Sequence, residues 1–114
     1  MLRLFDDQAI VQDASLITWS HAVNSKAQLD ESLKSKVKFL EADILFIEDR
    51  HTEPVMAHPP QIDSDLRFSQ WLNASLGSGK GLKLDFKSAN SLLPCLFTLN
   101  SLGDKVSFTF FYDS

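Results

Sequence analysis

The sequence predicts an α/β fold in which a parallel sheet is built from alternating strands and helices. Runs typical of strands cover Leu16 to Trp19, Phe39 to Ile47 and Leu82 to Lys87. A segment with helical spacing of apolar residues follows each of these runs. Strand and helix in alternation are typical of βα units, whose strands pair in parallel. We therefore expect about three such units.

The first two helices have recognisable beginnings. The first is predicted to begin after Asn24 or Ser25, because Ser25 followed by Gln28 fits a capping box. The second is predicted to open at Ser64 or Asp65. Its apolar face consists of Phe68, Trp71, Leu72 and Leu76, and the glycines that follow end it.

The third unit begins with a strand of strict alternation. Lys83, Asp85 and Lys87 share one face of this strand, and Leu84 and Phe86 share the other. A third helix is predicted from about residue 91 to 102, where the proline at position 94 is tolerated because it lies in the first turn. A last β-like run covers residues 105 to 112.

Two carboxylates interrupt the apolar strand that begins at Phe39. Glu41 and Asp43 are two residues apart, so both side chains point to the same face. Such a pair is costly in an apolar strand unless it meets a cation, a proton or a partner. The alternative is a salt-bridged surface strand, with Ile44 and Phe46 facing the other way.

Polar residues of the other strands fall at the same edge of the predicted sheet. Active residues of βα folds lie at the carboxyl ends of the strands. Three carboxylates there suit a hard cation such as Mg²⁺ or Ca²⁺. Histidines beside the cation can transfer protons, and a lysine can neutralise charge on a phosphate. The residues concerned are His21, Glu41, Asp43, His58, Asp85 and Lys87.

Composition excludes several classes of function. The chain of 114 residues is one domain at most, and its net charge of −4 with scattered Lys and Arg argues against nucleic-acid binding. No apolar run reaches the ~18 to 20 residues of a membrane span. Asp6 and Asp7 argue against a signal peptide, so the default expectation is a cytoplasmic protein. Cys95, alone in an apolar run, is expected to be a buried, inert thiol.

Four stretches of the sequence carry a resemblance to a known family. The runs ITWSHAVNSKAQLDESL, FLEADILF, EPVMAHPP and GLKLDFKS resemble the menorin family (family with sequence similarity 151) over about Leu16 to Leu93. That family is similar to the glycerophosphodiester phosphodiesterases and other phospholipase-C-like barrels. The resemblance implies parallel strands of a TIM-like (β/α)₈ barrel.

The resemblance also implies roles for individual residues. His21 and His58 match the acid and base of the phosphodiesterases. Glu41, Asp43 and Asp85 match the carboxylates that hold a divalent metal, and Lys87 and Asn24 are expected to bind substrate. The substrate would be a phosphodiester small molecule or a lipid head group. Ala22-Val23-Asn24 stands where the phosphodiesterases usually have Arg-Gly, and Asp85 replaces their more usual glutamate.

The length of the chain limits how much of a barrel it can form. A complete (β/α)₈ barrel needs ~250 residues. We therefore expect residues 1–102 to form the N-terminal part of a barrel, and residues 103–114 to be a divergent tail. Two classes of function stay open: a metal-dependent phosphodiesterase-like enzyme, inactive in this truncated form, and a non-catalytic interaction or adhesion-type module with a protein partner.

Overall fold

Short strands alternate with helices of nine residues along the chain. A computed structural model describes residues 2–3, 18–100 and 109–110. Its strands are β1 (Leu2–Arg3), β2 (Trp19–Ser20), β3 (Phe39–Leu45), β4 (Val55–Met56), β5 (Gly81–Phe86) and β6 (Thr109–Phe110). Its helices are α1 (Lys26–Lys34), α2 (Phe68–Leu76) and α3 (Leu92–Asn100), and a 3₁₀ turn (Ala89–Ser91) precedes α3.

The strands form one mixed sheet in the order β2-β3-β5-β1-β6, with β4 also paired to β3. β3 pairs in parallel with both β2 and β5, as predicted for the strands of the three βα units. The pairings of β1 with β5, β1 with β6, and β3 with β4 are antiparallel. The prediction of parallel strands throughout is therefore wrong, because two-residue strands extend the sheet at several places. These strands show an α/β fold and do not by themselves show a barrel.

Helices cover one face of the sheet, and the main hydrophobic core lies between them and the strands. Alternate residues of β3 and β5 point into this core, including Leu40, Ile44, Leu84 and Phe86, all of them fully buried. Trp71 of α2 and Cys95 of α3 reach it from the helices. Burial raises the pKa of the Cys95 thiol, which agrees with the expected inert thiol. The opposite face of the sheet carries the acidic residues.

The beginning of α1 is confirmed, and that of α2 is not. Ser25 is the N-cap of α1 and its hydroxyl accepts a hydrogen bond from the Gln28 amide at 3.1 Å. α2 begins at Phe68 rather than after Ser64 or Asp65. Those two residues bind the start of α1 instead. The Ser64 hydroxyl donates to the carbonyl of Asn24 at 2.6 Å, and the Asp65 carboxylate accepts from the amide of residue 26 at 3.0 Å.

The third unit follows its predicted pattern. Buried and half-buried residues alternate along the whole of β5. Pro94 lies in the first turn of α3, as expected. The predicted segments 16–17 and 101–102, and most of the run 105–112, lie outside the described residues. Within the part of the chain that the structure describes, no helix is both long and apolar enough to cross a membrane.

Candidate metal centre

The register of β3 against β5 brings three carboxylates together. Asp43 lies directly opposite Asp85 on the neighbouring parallel strand. Glu41 precedes Asp43 by two residues and therefore lies on the same face. One oxygen from each of the three side chains lies within 4.8 Å of the others. The structure thus places the three predicted metal ligands in one cluster.

Asp43 is the most buried member of the cluster, with its side chain only 4% exposed. The side chain of Asn24 makes two hydrogen bonds to Asp43. Asn24 Nδ2 donates to Asp43 Oδ2 at 2.9 Å, and Asn24 Oδ1 accepts from the Asp43 backbone amide at 3.0 Å. Asn24, predicted to bind substrate, therefore orients a carboxylate in this structure. The carbonyl of Asp43 accepts from the Ala57 amide at 3.1 Å, which ties the end of β4 to the cluster.

Glu41 is held by the loop that follows β2. The amide of Ala22 donates to Glu41 Oε1 at 2.7 Å, and the amide of Val23 donates to the Glu41 carbonyl at 2.9 Å. Burial raises the pKa of Glu41, and the charges of Asp43 and Asp85 raise it further. The Ala22 hydrogen bond and the nearby His21 act in the opposite direction. Burial is the largest of these effects, and the pKa of Glu41 therefore lies above its ordinary value.

Lys87 lies beside the acidic residues, but it does not provide a hydrogen-bond donor for every buried carboxylate oxygen. Its ammonium group is 2.9 Å from Asp85 Oδ2 and 3.9 Å from Asp43 Oδ1. Asp85 Oδ1 is buried and has no hydrogen-bond partner among the described residues. A buried carboxylate oxygen without a donor is unfavourable unless a cation binds it. An all-oxygen donor set of three carboxylates also fits a hard divalent cation such as Mg²⁺ or Ca²⁺.

The two predicted proton-transfer residues lie at the rim of this site. His21 is exposed and stacks on Trp19, with ring centroids 5.9 Å apart. His58 is also exposed, and its Nδ1 lies 2.5 Å from the carbonyl of Pro59. His58 lines a cleft of about 410 Å³ together with Ala22 and Asn24, the residues that hold Glu41 and Asp43. His21 thus lies near Glu41, and His58 shares a cleft with residues that bind Glu41 and Asp43.

Some residues that shape the site were missed in the sequence. The Ser88 hydroxyl accepts a hydrogen bond from the Phe46 amide at 3.1 Å, which joins the ends of β3 and β5 just beyond the acids. His51 lies in the polar turn after β3, and its ring is only 5% exposed. The contact between Ser88 and Phe46 has no sequence signal, because it depends on how two distant segments meet. A histidine within a polar turn was the only feature that could have drawn attention to His51.

The fold and the site together define an α/β protein with an acidic cluster on neighbouring parallel strands. The chain belongs to the menorin family, since the family model of the menorin N-terminal domain matches residues 13–110. It is 43% identical over 101 residues to the human protein FAM151B. This match covers 87% of the chain and 37% of the human protein, so the chain spans little more than a third of that relative. No solved structure matches the chain.

Proposed function

We propose that this chain carries the metal-binding part of a phosphodiesterase-like site in a menorin-family protein. The observation that carries the proposal is the cluster of Glu41, Asp43 and Asp85 in register on two parallel strands. The unpartnered oxygen of Asp85 and the raised pKa of Glu41 support it, because both are relieved by a bound cation. A cation held there would polarise a phosphoryl oxygen.

The other residues of the site orient a ligand, stabilise charge or transfer protons. Asn24 fixes the orientation of Asp43 through two hydrogen bonds. Lys87 lies beside Asp85 and Asp43 and stabilises negative charge that develops on the phosphate. His21 and His58 transfer protons from the attacking oxygen and to the leaving oxygen. Imidazole is suited to this role near neutral pH. The substrate is a phosphodiester small molecule or a lipid head group.

The sheet supports a place for this chain in the N-terminal part of a TIM-like barrel. β2, β3 and β5 are neighbouring parallel strands, with helices on one face and polar residues on the other. The inner face of a barrel is closed by the strands that complete the circle. We propose that the chain alone does not turn over substrate, because a site misplaced by about 1 Å loses on the order of a hundredfold in rate.

The proposal is tested by hydrolysis of a glycerophosphodiester with a full-length version that includes the further βα units. His21→Ala and His58→Ala should each lower the rate by about a hundredfold or more, with unchanged melting temperature. Asp30→Asn, which removes an exposed carboxylate of α1, is the matched control and should leave the rate unchanged. Activity that survives either histidine substitution removes that histidine from proton transfer.

A non-catalytic interaction module is the second candidate, and one observation favours it. Leu93 and Phe97 lie one turn apart on α3 and are 78% and 80% exposed. Large apolar side chains that lie together on a surface are typical of sites that bind another protein. Affinity for a divalent cation distinguishes the two candidates. Micromolar binding supports the phosphodiesterase-like site, and no binding at millimolar cation supports the interaction module.

A further inference from the structure

His51 joins two loops that lie far apart in the sequence. Its Nδ1 accepts a hydrogen bond from the Ile47 amide at 3.0 Å, just after β3. Its Nε2 is 2.7 Å from the carbonyl of Ile62, in the loop that follows β4. The side chain of His51 is only 5% exposed. Breaking either hydrogen bond leaves a polar atom of this ring, or its loop partner, without that contact.

The two contacts define the tautomer of the ring. An amide N–H can only donate, so Nδ1 must be the unprotonated nitrogen that accepts from Ile47. A carbonyl oxygen can only accept, so Nε2 must carry the proton and donate it to Ile62. With these contacts, His51 accepts from one loop through Nδ1 and donates to the other through Nε2.

A second contact between the same two loops lies beside the histidine. The Arg50 guanidinium binds the Asp63 carboxylate through two nitrogens and lowers the pKa of Asp63. Both side chains are more than half exposed, so this ion pair contributes little by itself. His51 Nε2 also lies 3.4 Å from Asp63. The histidine and the ion pair thus link the same two loops side by side.

The loop held by His51 is the one that carries His58. At its first end, Ala57 donates to the Asp43 carbonyl, so the loop starts at the acidic cluster. At its other end, Ile62 is the acceptor of His51. Between these ends the amide of Gln61 donates to the carbonyl of His58 at 3.0 Å. Both His58 and Gln61 line the cleft beside the cluster.

We propose that His51 is a positioning residue that sets where the His58 loop lies over the cleft. The loop is attached to β3 at its start, through Ala57, and the hydrogen bond from His51 to Ile62 holds its other end. The geometric part of this proposal is independent of any chemistry at the site. Its consequence for proton transfer by His58 rests on the proposed function.

Two substitutions at position 51 each remove one of the two hydrogen bonds of His51 and keep the other. In His51→Asn, the shorter side chain keeps an oxygen near the position of Nδ1 and loses the group that reaches Ile62. In His51→Gln, the longer side chain keeps a donor near the position of Nε2 and loses the acceptor for Ile47. The Ile47 and Gln61 amides report on the two loops, because each is a hydrogen-bond donor in the wild-type protein.

Hydrogen exchange of the full chain, resolved to single amides by mass spectrometry, measures both reporters. His51→Asn should speed exchange at Gln61 about fivefold and leave Ile47 protected. His51→Gln should do the reverse. The amides of β3 and β5 should keep their wild-type rates in both variants. Equal effects of the two variants on both reporters, or loss of protection in β3 and β5, would overturn the positioning role.

Mg²⁺ binding and kcat test the proposed function independently of the hydrogen-exchange result. Binding of Mg²⁺ to the wild-type chain and to both variants should be equal, because the ligands lie on β3 and β5 rather than on the loop. Absence of Mg²⁺ binding to the wild type rejects the metal site and leaves the exchange result intact. In a full-length version, His51→Asn should lower kcat, and His51→Gln should keep kcat close to the wild-type value. Equal kcat in the two variants would contradict a role in placing His58.

Discussion

Glu41 is the carboxylate of the cluster whose protonation the fold alters, because burial raises its pKa. The folded state therefore holds this proton more tightly than the unfolded chain does. By linkage, the contribution of Glu41 to stability is greatest below the unfolded pKa and is lost as the pH rises through the raised pKa. A cation bound between the three carboxylates would offset this loss of stability at higher pH, because it stabilises the charged form of Glu41.

The first prediction follows from that linkage. In metal-free buffer, Glu41→Gln should raise the melting temperature at about pH 7, where the wild-type carboxylate is charged, and have little effect at about pH 4. The glutamine can still accept the Ala22 hydrogen bond. The measurement is thermal unfolding of both proteins at the two pH values. A wild type that is the more stable protein at neutral pH without metal would contradict the account.

Ala22 is the residue at which the backbone of the site is strained, with φ of 53°. This left-handed conformation lets its amide point at Glu41, and it costs about 1 kcal/mol or more for a residue with a Cβ. Ala22→Gly should change the free energy of unfolding by less than about 1 kcal/mol, because relief of strain offsets the flexibility of glycine. Ala22→Val should lower it by about 2 kcal/mol, because β-branched residues rarely adopt positive φ.

Urea unfolding in dilute solution measures both changes. Ala22 is exposed, so the two substitutions differ in backbone preference rather than in packing. Equal stability of the valine variant and the wild type would show that the left-handed backbone at this position is not required.

At the residue scale, sequence reasoning found the side chains but not all of their contacts. The spacing of Glu41 and Asp43 placed both on one face of a strand, which needs only the two-residue period. The pairing of Asn24 with Asp43 could not be predicted, because it depends on where the loop after β2 crosses β3. The same holds for His51, whose partners come from segments that no local pattern connects. The catalytic and metal-binding roles themselves stay predictions.

At the scale of single elements, α1 depends on its N-cap. Ser25 accepts from the Gln28 amide, and the Gln28 side chain accepts from the amide of Asn24 at 3.2 Å. Ser25→Ala should lower the free energy of unfolding by about 1 kcal/mol, since alanine offers no acceptor to the Gln28 backbone amide. Asn73→Ala, on the exposed surface of α2, is the control and should have a small effect. Equal losses in the two variants would show that the cap does not stabilise the helix.

Elements with a strong internal pattern were predictable, and elements defined by tertiary contacts were not. The alternation in β5 and the cap of α1 are local features, and both are confirmed. Ser64 has the chemistry of an N-cap, but its hydroxyl donates to the Asn24 carbonyl and accepts from the Leu66 amide within the loop, and α2 starts at Phe68. β1 has two residues and becomes a strand only because β5 and β6 lie beside it.

At the scale of the whole molecule, several surfaces are left open. Among the described strands, β2 stands at one end of the sheet, with β3 as its neighbour. Leu93 and Phe97 of α3 are exposed on the helical side. An open strand edge and an exposed apolar pair both favour association with another chain.

We therefore predict that the 114-residue chain, expressed alone, aggregates, forms oligomers or needs a partner. Leu93→Lys combined with Phe97→Lys should shift the population toward smaller species, measured by light scattering at increasing concentration. Leu92→Lys combined with Leu99→Lys is the contrasting change: it places charges against or within the core and should unfold the chain. A monodisperse wild-type monomer with a sharp cooperative melt would contradict this prediction and indicate a self-sufficient domain.

The arrangement of the central sheet was the part of the molecular architecture that the sequence predicted. The order β2-β3-β5 follows from three successive βα units, because consecutive parallel strands usually lie side by side. The antiparallel additions could not be predicted, because two-residue strands have no recognisable period. Membership of the menorin family is confirmed, and the barrel stays a proposal.

The response of the melting temperature to Mg²⁺ or Ca²⁺ is the most direct test of the proposed binding of a divalent cation by Glu41, Asp43 and Asp85. A ligand that binds only the folded state stabilises it by about 2.7 kcal/mol at a hundredfold excess over Kd. We expect either cation to raise the melting temperature of the wild-type protein and of the Asp30→Asn control by several degrees. The double variant Glu41→Gln, Asp43→Asn should show no such rise. An equal response of the wild type and the double variant would contradict the metal site.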